Sequence, residues 1–320
     1  MVILIAVLAG IGFTLAVRAL AAANEARAEA AHPPEGQFVE VDGVRIHAVV
    51  MGSGPDLVLL HGAGGSTRDY TFAFAERLST RYRVIAMDRP GLGYSGRLRD
   101  YSVWSREAET PREQARLLQA AAAQLGAEKP IVLGHSFGAI VALAWALERP
   151  ENISGVISVG GVANPWEGGV GGFYDLTASP LGGALFVPLA TAFVWDGYLQ
   201  QSVTNVFRPQ SEPEGYGAHF GPRMSARRET LRANGRQVHG LKPYVIEMVQ
   251  DYPGITVPVE IVHGDADTTV PLQVHSIPLS EQVPGANLTV LPGVGHMPQH
   301  ADPDAVEAAI DRAATRAGLR

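Results

Sequence analysis

The chain has 320 residues, 46% of them hydrophobic and 18% charged, with a formal net charge of −7 at pH 7 and no cysteine. That composition describes a globular chain with ample core material and excludes a disordered one. The acidic balance, without a polybasic stretch, gives no electrostatic footprint for nucleic acid, and the lack of cysteine excludes disulfides and thiolate metal sites while leaving the redox compartment open.

Met1 to Val17 carry no charge, and apart from Arg18 the apolar or small character continues to Ala23. At about 1.5 Å per residue the uncharged run spans roughly 24 Å, somewhat short of a ~30 Å hydrocarbon core unless Arg18 snorkels and the alanines continue the helix. Residues 1–23 are therefore expected to be a membrane anchor or a signal segment. Ala19-Leu20-Ala21 is an A-x-A-like cleavage site, but no Lys or Arg precedes the apolar run. An uncleaved single-pass anchor fits that start better and is preferred, with the side of the membrane open and a secreted or periplasmic product of cleavage as the alternative. Residues 24–36, polar, alanine-rich and closed by Pro33-Pro34, suit a spacer.

Phe38–Val41 and Val44–Val49 alternate around Asp42-Gly43, a hairpin signal. Strands and helices then alternate, which predicts a mostly parallel sheet covered on both faces. The buried-strand pattern 56–60 ends in the glycine-rich loop His61-Gly62-Ala63-Gly64-Gly65-Ser66, and 82–88 ends in Asp88-Arg89-Pro90-Gly91-Leu92-Gly93-Tyr94-Ser95-Gly96. Gly91, Gly93 and Gly96 formally match a dinucleotide fingerprint, but a polar loop rather than a helix follows, so that reading is rejected. Thr110-Pro111-Arg112-Glu113 predicts a helix start with a capping box. Further strands are expected at 153–159, 257–263 and 287–291, and a last helix after Asp302-Pro303.

At Gly134-His135-Ser136-Phe137-Gly138 an aliphatic strand passes into an Ala/Leu-rich helix through a tight turn. This is the nucleophile-elbow pattern, in which small residues let the chain turn sharply and present a serine at the start of a helix. The pentapeptide by itself also suits an inert strand-to-helix turn. A serine hydroxyl needs an adjacent base, and an imidazole base needs a carboxylate to fix its tautomer. His296 and Asp267 follow later strands in the required chain order, with Asp265 the competing acid.

With His61-Gly62, Asp88-Arg89-Pro90-Gly91-x-Gly93-x-Ser95, Gly134-x-Ser136-x-Gly138, His263-Gly264-x-x-Asp267 and Gly295-His296, the sequence resembles the α/β-hydrolase superfamily across about residues 36–317. The resemblance implies an α/β fold with a mostly parallel central sheet, helices on both faces and a helical lid insertion. It implies Ser136 as nucleophile, His296 as base, Asp267 as acid, and the amides of Ala63 and Phe137 as an oxyanion hole. The expected divisions are 37–162 and 253–320 for the core and 163–252 for the lid. Serine at the elbow argues against the epoxide-hydrolase and dehalogenase branches, which use Asp there.

The expected activity is hydrolysis of a small-molecule carboxylic ester, apolar or lipid-like, through an acyl-enzyme. Lactone hydrolysis, perhydrolysis and carbon–carbon hydrolysis are alternatives, and a non-catalytic binding scaffold is the reading from another class. No cofactor and no metal are expected: His296 and His300 share an i, i+4 spacing but lack an H-E-x-x-H pattern. His61 and His135 are expected to be structural. The aromatics between 166 and 207 are expected mostly to form the lid's own small core, and the arginines of 223–236 a solvated helix face. Nothing in the sequence fixes an oligomeric state.

Overall fold

In the computed structural model, which describes residues 1–102 and 104–320, one sheet organises the chain. Its strands are β1 (Gln37–Val41), β2 (Val44–Met51), β3 (Asp56–Leu60), β4 (Arg83–Met87), β5 (Ile131–His135), β6 (Gly155–Val159), β7 (Val259–Gly264) and β8 (Asn287–Leu291). They lie in the order β1-β2-β4-β3-β5-β6-β7-β8. β1 and β2 form the expected hairpin, with Asp42 and Gly43 both at positive φ as a tight two-residue turn requires. β2 is antiparallel to β4, and every later pairing is parallel.

The two-residue period of a strand explains the two cores. Val58, Leu60, Ile85, Met87 and Val132 point to one face, where they meet the helices Pro111–Gln124 and Phe137–Glu148. Leu57, Leu59, Val84, Ala86, Ile131 and Leu133 point to the other, against Phe74–Ser79 and Pro303–Arg316. Because both faces are covered, the central strands read as continuous aliphatic runs. The helix Pro111–Gln124 starts on the expected capping box, Thr110 accepting from the Glu113 amide and Glu113 from the Thr110 amide.

Between β6 and β7 the described residues form helices and loops and no strand. The aromatics of this insertion touch one another but only partly bury: Phe207 is buried, Trp166, Tyr174 and Phe186 are half-buried, and Phe173, Phe193, Trp195 and Tyr198 are exposed. Arg232 and Arg236 are buried rather than solvated, because backbone carbonyls of Thr177, Ser179 and Ser102 receive their guanidinium groups. At the N-terminus a single helix, Val2–Ala31, takes in most of the expected spacer. Asn24 to Ala31 is rich in Ala and Glu, good helix formers, and proline arrives only at position 33. This second half docks on the insertion: Asn24 donates to the carbonyls of Thr191 and Ala192, both at 2.9 Å, and Glu25 and Glu29 pair with Arg228 and Arg227.

The helix after β5 lies so close to the sheet that a Cβ on Gly134 would collide with the Gly138 carbonyl, and one on Gly138 with that of Leu60. Gly134→Ala is expected to lower unfolding free energy by about 2 kcal/mol or more, as overpacking against backbone does. Gly169→Ala, where a Cβ meets nothing within 4 Å, is expected to change it by less than about 0.5 kcal/mol. Urea titration of both variants checks the pair.

Candidate active site

Loops at the carboxyl ends of β3, β4, β5, β7 and β8 converge on one edge of the sheet, where an α/β fold leaves a crevice for ligands. Ser136 stands at the turn after β5 with φ 53° and ψ −116°. Its backbone is tied on both sides: the amide donates to Val159 at 3.0 Å, and the carbonyl accepts from Ala139 and Val162, each at 3.1 Å. The glycine loop after β3 abuts it, the Cβ position of Gly62 lying 3.1 Å from the Ser136 Cβ. Among the described residues the amides of Ala63 and Phe137 donate to no protein acceptor, and the Ser136 hydroxyl makes no hydrogen bond.

The other two sequence-predicted residues meet. Asp267 Oδ2 accepts from His296 Nδ1 at 2.7 Å, both side chains being buried. A carboxylate only accepts, so Nδ1 carries the proton and Nε2 is left with its lone pair. Asp267 Oδ1 accepts the Thr269 and Val270 amides at 2.8 and 2.9 Å. Burial works to raise the Asp267 carboxyl, but hydrogen bonds from His263 and His296 outweigh it and hold the group below the ordinary carboxylate value. Asp265 does not compete, since its carboxylate accepts the Gly293 amide at 2.6 Å. The β8 loop is fixed against the elbow by His135, which donates from Nε2 to the His296 carbonyl at 2.8 Å. Gly160 leaves the remaining room: its Cβ position is 3.6 Å from both Asp267 Oδ2 and His296 Nδ1.

His300 does not pair with His296. Its Nε2 donates to Asp69 at 2.8 Å, and Asp69 also accepts from the Tyr216 hydroxyl at 2.8 Å and from Gln299 at 3.2 Å. Burial pushes Asp69 upward in pKa, yet the bonds from His300 and Tyr216 keep it ionised well below its usual range. No group of three His, Cys, Asp or Glu residues able to hold a metal occurs among the described residues. Asp69 borders a narrow cavity above Gly62 and His135, roofed by Val203, Phe207, Tyr216 and Phe220 of the insertion.

A family profile described as the alpha/beta hydrolase fold matches residues 55–303. The chain belongs to the alpha/beta hydrolase family. An uncharacterized protein of Mycobacterium tuberculosis is 30% identical over 90% of this chain and 87% of its own. A 2-hydroxymuconate semialdehyde hydrolase of Pseudomonas putida is 29% identical over 83% of this chain and 89% of its own. Among solved structures, a bacterial membrane phospholipase A shares the fold with a TM-score of 0.61 at 20% identity, covering 98% of this chain and 96% of that one.

Three residues at the candidate site carry no role in the sequence reading. His263 lies 3.2 Å from Asp267 Oδ2 while also donating to Val270 and bonding Ser276, so it steadies the acid loop. Its place beside Gly264 in a motif already noted was the available signal. Arg89, fully buried, donates to the carbonyls of His61 and Gly62 and lies over the Phe137 ring at 4.2 Å, clamping the glycine loop to the elbow. Burial lowers the pKa of Arg89 to about 9, which leaves it charged near neutrality. Asp69 gave no signal, because its three partners come from segments far apart in the chain.

His61 and His135, two of the buried histidines, contribute to an acid-sensitive fold. Burial lowers His135 to about 4, and lowers His61 to about 4 with the Arg89 guanidinium adding to the shift. The unfolded chain takes up these protons near pH 6.5 and the folded chain only near 4, so stability present above pH 6.5 is lost as pH falls through that window. The loss is on the order of 3 kcal/mol per histidine at most. Thermal melts should show Tm falling steadily between pH 7 and pH 4.5; a Tm that stays level across this range would contradict the assignment.

Proposed function

We propose that the chain is a serine hydrolase that cleaves carboxylic esters of apolar, lipid-like substrates through an acyl-enzyme. The observation that carries this reading is the strained Ser136 elbow, joined through His135 to the loop of a His296 imidazole whose proton Asp267 holds on Nδ1. Ser136 Oγ attacks the ester carbonyl carbon while His296 Nε2 accepts its proton; the hydroxyl and imidazole close up as the substrate arrives. The carbonyl oxygen becomes an oxyanion facing the amides of Ala63 and Phe137, at the N-terminus of the elbow helix. The C–O bond then breaks, His296 returns the proton to the leaving alkoxide, and Ser136 is left acylated. Water then attacks the acyl carbon as His296 takes one of its protons; the bond to Ser136 Oγ breaks, His296 returns the proton to Oγ, and the carboxylic acid leaves.

The apolar preference is supported by the cavity roof: Val203, Phe207 and Phe220 face it, and no Lys or Arg stands among its lining residues. Likeness to a relative named for a semialdehyde of muconate supports a second reading, carbon–carbon hydrolysis by the same residues. A substrate carboxylate would need a cation that this lining lacks.

We further read Val2–Ala31 as an uncleaved membrane anchor. The A-x-A-like site lies in mid-helix, and Ala21 is fully buried against the insertion, which supports retention over cleavage.

Hydrolysis of p-nitrophenyl esters from acetate to laurate tests the activity. Wild type is expected to show a chain-length optimum, Ser136→Ala to lose at least ~10³-fold in kcat/KM, and Asp267→Asn ~10³–10⁴-fold. Full activity in Ser136→Ala would remove the reading.

A further inference from the structure

From Leu181 to Phe193 the insertion runs as one helical stretch, α-helical from Val187 and wider over Gly182–Phe186. Leu181, Leu185, Leu189 and Phe193 recur every four residues along it, so they share a face, and Trp195 and Tyr198 extend that face past its end. All six are between 37% and 68% exposed. The opposite side is the docked one: Ala192 packs with Val17 and Ala21 of the N-terminal helix, and Thr191 and Ala192 receive Asn24.

The N-terminal helix serves as a ruler. Residues 1–16 are exposed throughout, and the first buried position, Val17, is where the helix meets the insertion. A hydrocarbon core of ~30 Å takes about 20 residues of helix. Val2 to Ala21 covers about that length, and Ala192 is docked at Ala21. On the anchor reading, the Phe193 end of the apolar stripe then lies where the N-terminal helix leaves the hydrocarbon. Tryptophan and tyrosine, the residues favoured at headgroup level, follow at 195 and 198, and the Asp196–Arg223 ion pair lies beside them.

We propose that this face of the insertion is a second membrane-contacting surface, seated in the leaflet that adjoins the N-terminal helix, so that the lid over Ser136 is held at the bilayer and lipid-like esters reach the site from it. This rests on the anchor and ester-hydrolase readings above. The occupant is the lipid surface because the stripe lies on the element that packs, through Ala192, beside an N-terminal helix whose apolar residues 1–16 are exposed throughout. A second copy of the chain is the rival occupant that the test must separate.

The test uses the full chain reconstituted in phosphatidylcholine vesicles, with phosphatidylcholine brominated on its acyl chains as quencher. The emission lost on making Trp195→Phe is the Trp195 signal. It is expected to be quenched by more than half in brominated vesicles, and an unquenched Trp195 signal would overturn the proposal. Because the chain has no cysteine, Leu185→Cys places a single thiol on the face. Oxidative cross-linking of that thiol to a second copy in the vesicles would assign the face to a dimer and also overturn it. The double variant Leu181→Asp/Leu185→Asp should hydrolyse a long-chain ester dissolved in vesicles at least tenfold more slowly while keeping its rate on soluble p-nitrophenyl acetate within twofold. Equal loss on both substrates, or none on the vesicle substrate, counts against the proposal. Failure of Ser136→Ala to lose activity would instead strike the hydrolase reading and leave the Trp195 result standing.

Discussion

Backbone packs on backbone where the helix Phe137–Glu148 crosses the sheet, and the glycines at 134 and 138 allow it. Between them Ser136 is held at φ 53°, a conformation costing on the order of 1–3 kcal/mol for a residue with a Cβ. Such a cost persists only if the surroundings over-determine it. Here the buried aliphatic strands on both sides of the elbow, and the hydrogen bonds to Val159, Ala139 and Val162, do so. What the strain secures is position: the serine hydroxyl stands above the sheet edge, beside the first amide of a helix whose dipole favours negative charge.

The loops around that point are irregular, and what fixes them is a set of buried charges, each satisfied by several partners. Asp88 accepts from the Thr67 and Tyr94 amides and from His47; Arg89 clamps the His61 and Gly62 carbonyls; Asp267 gathers His296, His263 and two amides. Asp69 joins the β8 loop, through Gln299 and His300, to the insertion, through Tyr216. A buried charge stripped of such partners costs several kcal/mol, so each hub makes its loop conformation all-or-none. Asp69 thereby links the roof of the cavity to the segment that follows His296.

Much of this was legible in the sequence because chemistry and backbone geometry there demand particular residue types. Alternation around Asp42-Gly43 dictates a hairpin, Thr110-Pro111 and Glu113 a helix start, and an elbow needs small residues beside its serine. The Ser136, Asp267, His296 order could be read because each follows an aliphatic strand, and in a parallel sheet all such ends lie on one side. What was not legible depends on tertiary partners. Nothing local distinguishes arginines on a solvated face from Arg232 and Arg236, whose carbonyl partners lie more than fifty residues away. His263 looked like part of a strand end until its neighbours were known. The exposed aromatics of the insertion were read as core because hydrophobicity alone does not say what covers a side chain. The continuation of the N-terminal helix to Ala31 was masked by the polarity of Asn24–Ala31, which is polar because half of that helix surface faces solvent and the rest pairs with the insertion.

A strained serine, an oriented imidazole, an apolar cavity roof and an apolar N-terminal helix together support the proposed attack on esters of low water solubility. The most direct measurement is peptide mapping of the full chain by tandem mass spectrometry after reaction with a fluorophosphonate. The account predicts a single phosphonyl adduct on Ser136, forming much more slowly in His296→Gln. An adduct on another residue, or formation equally fast without the imidazole, would contradict it.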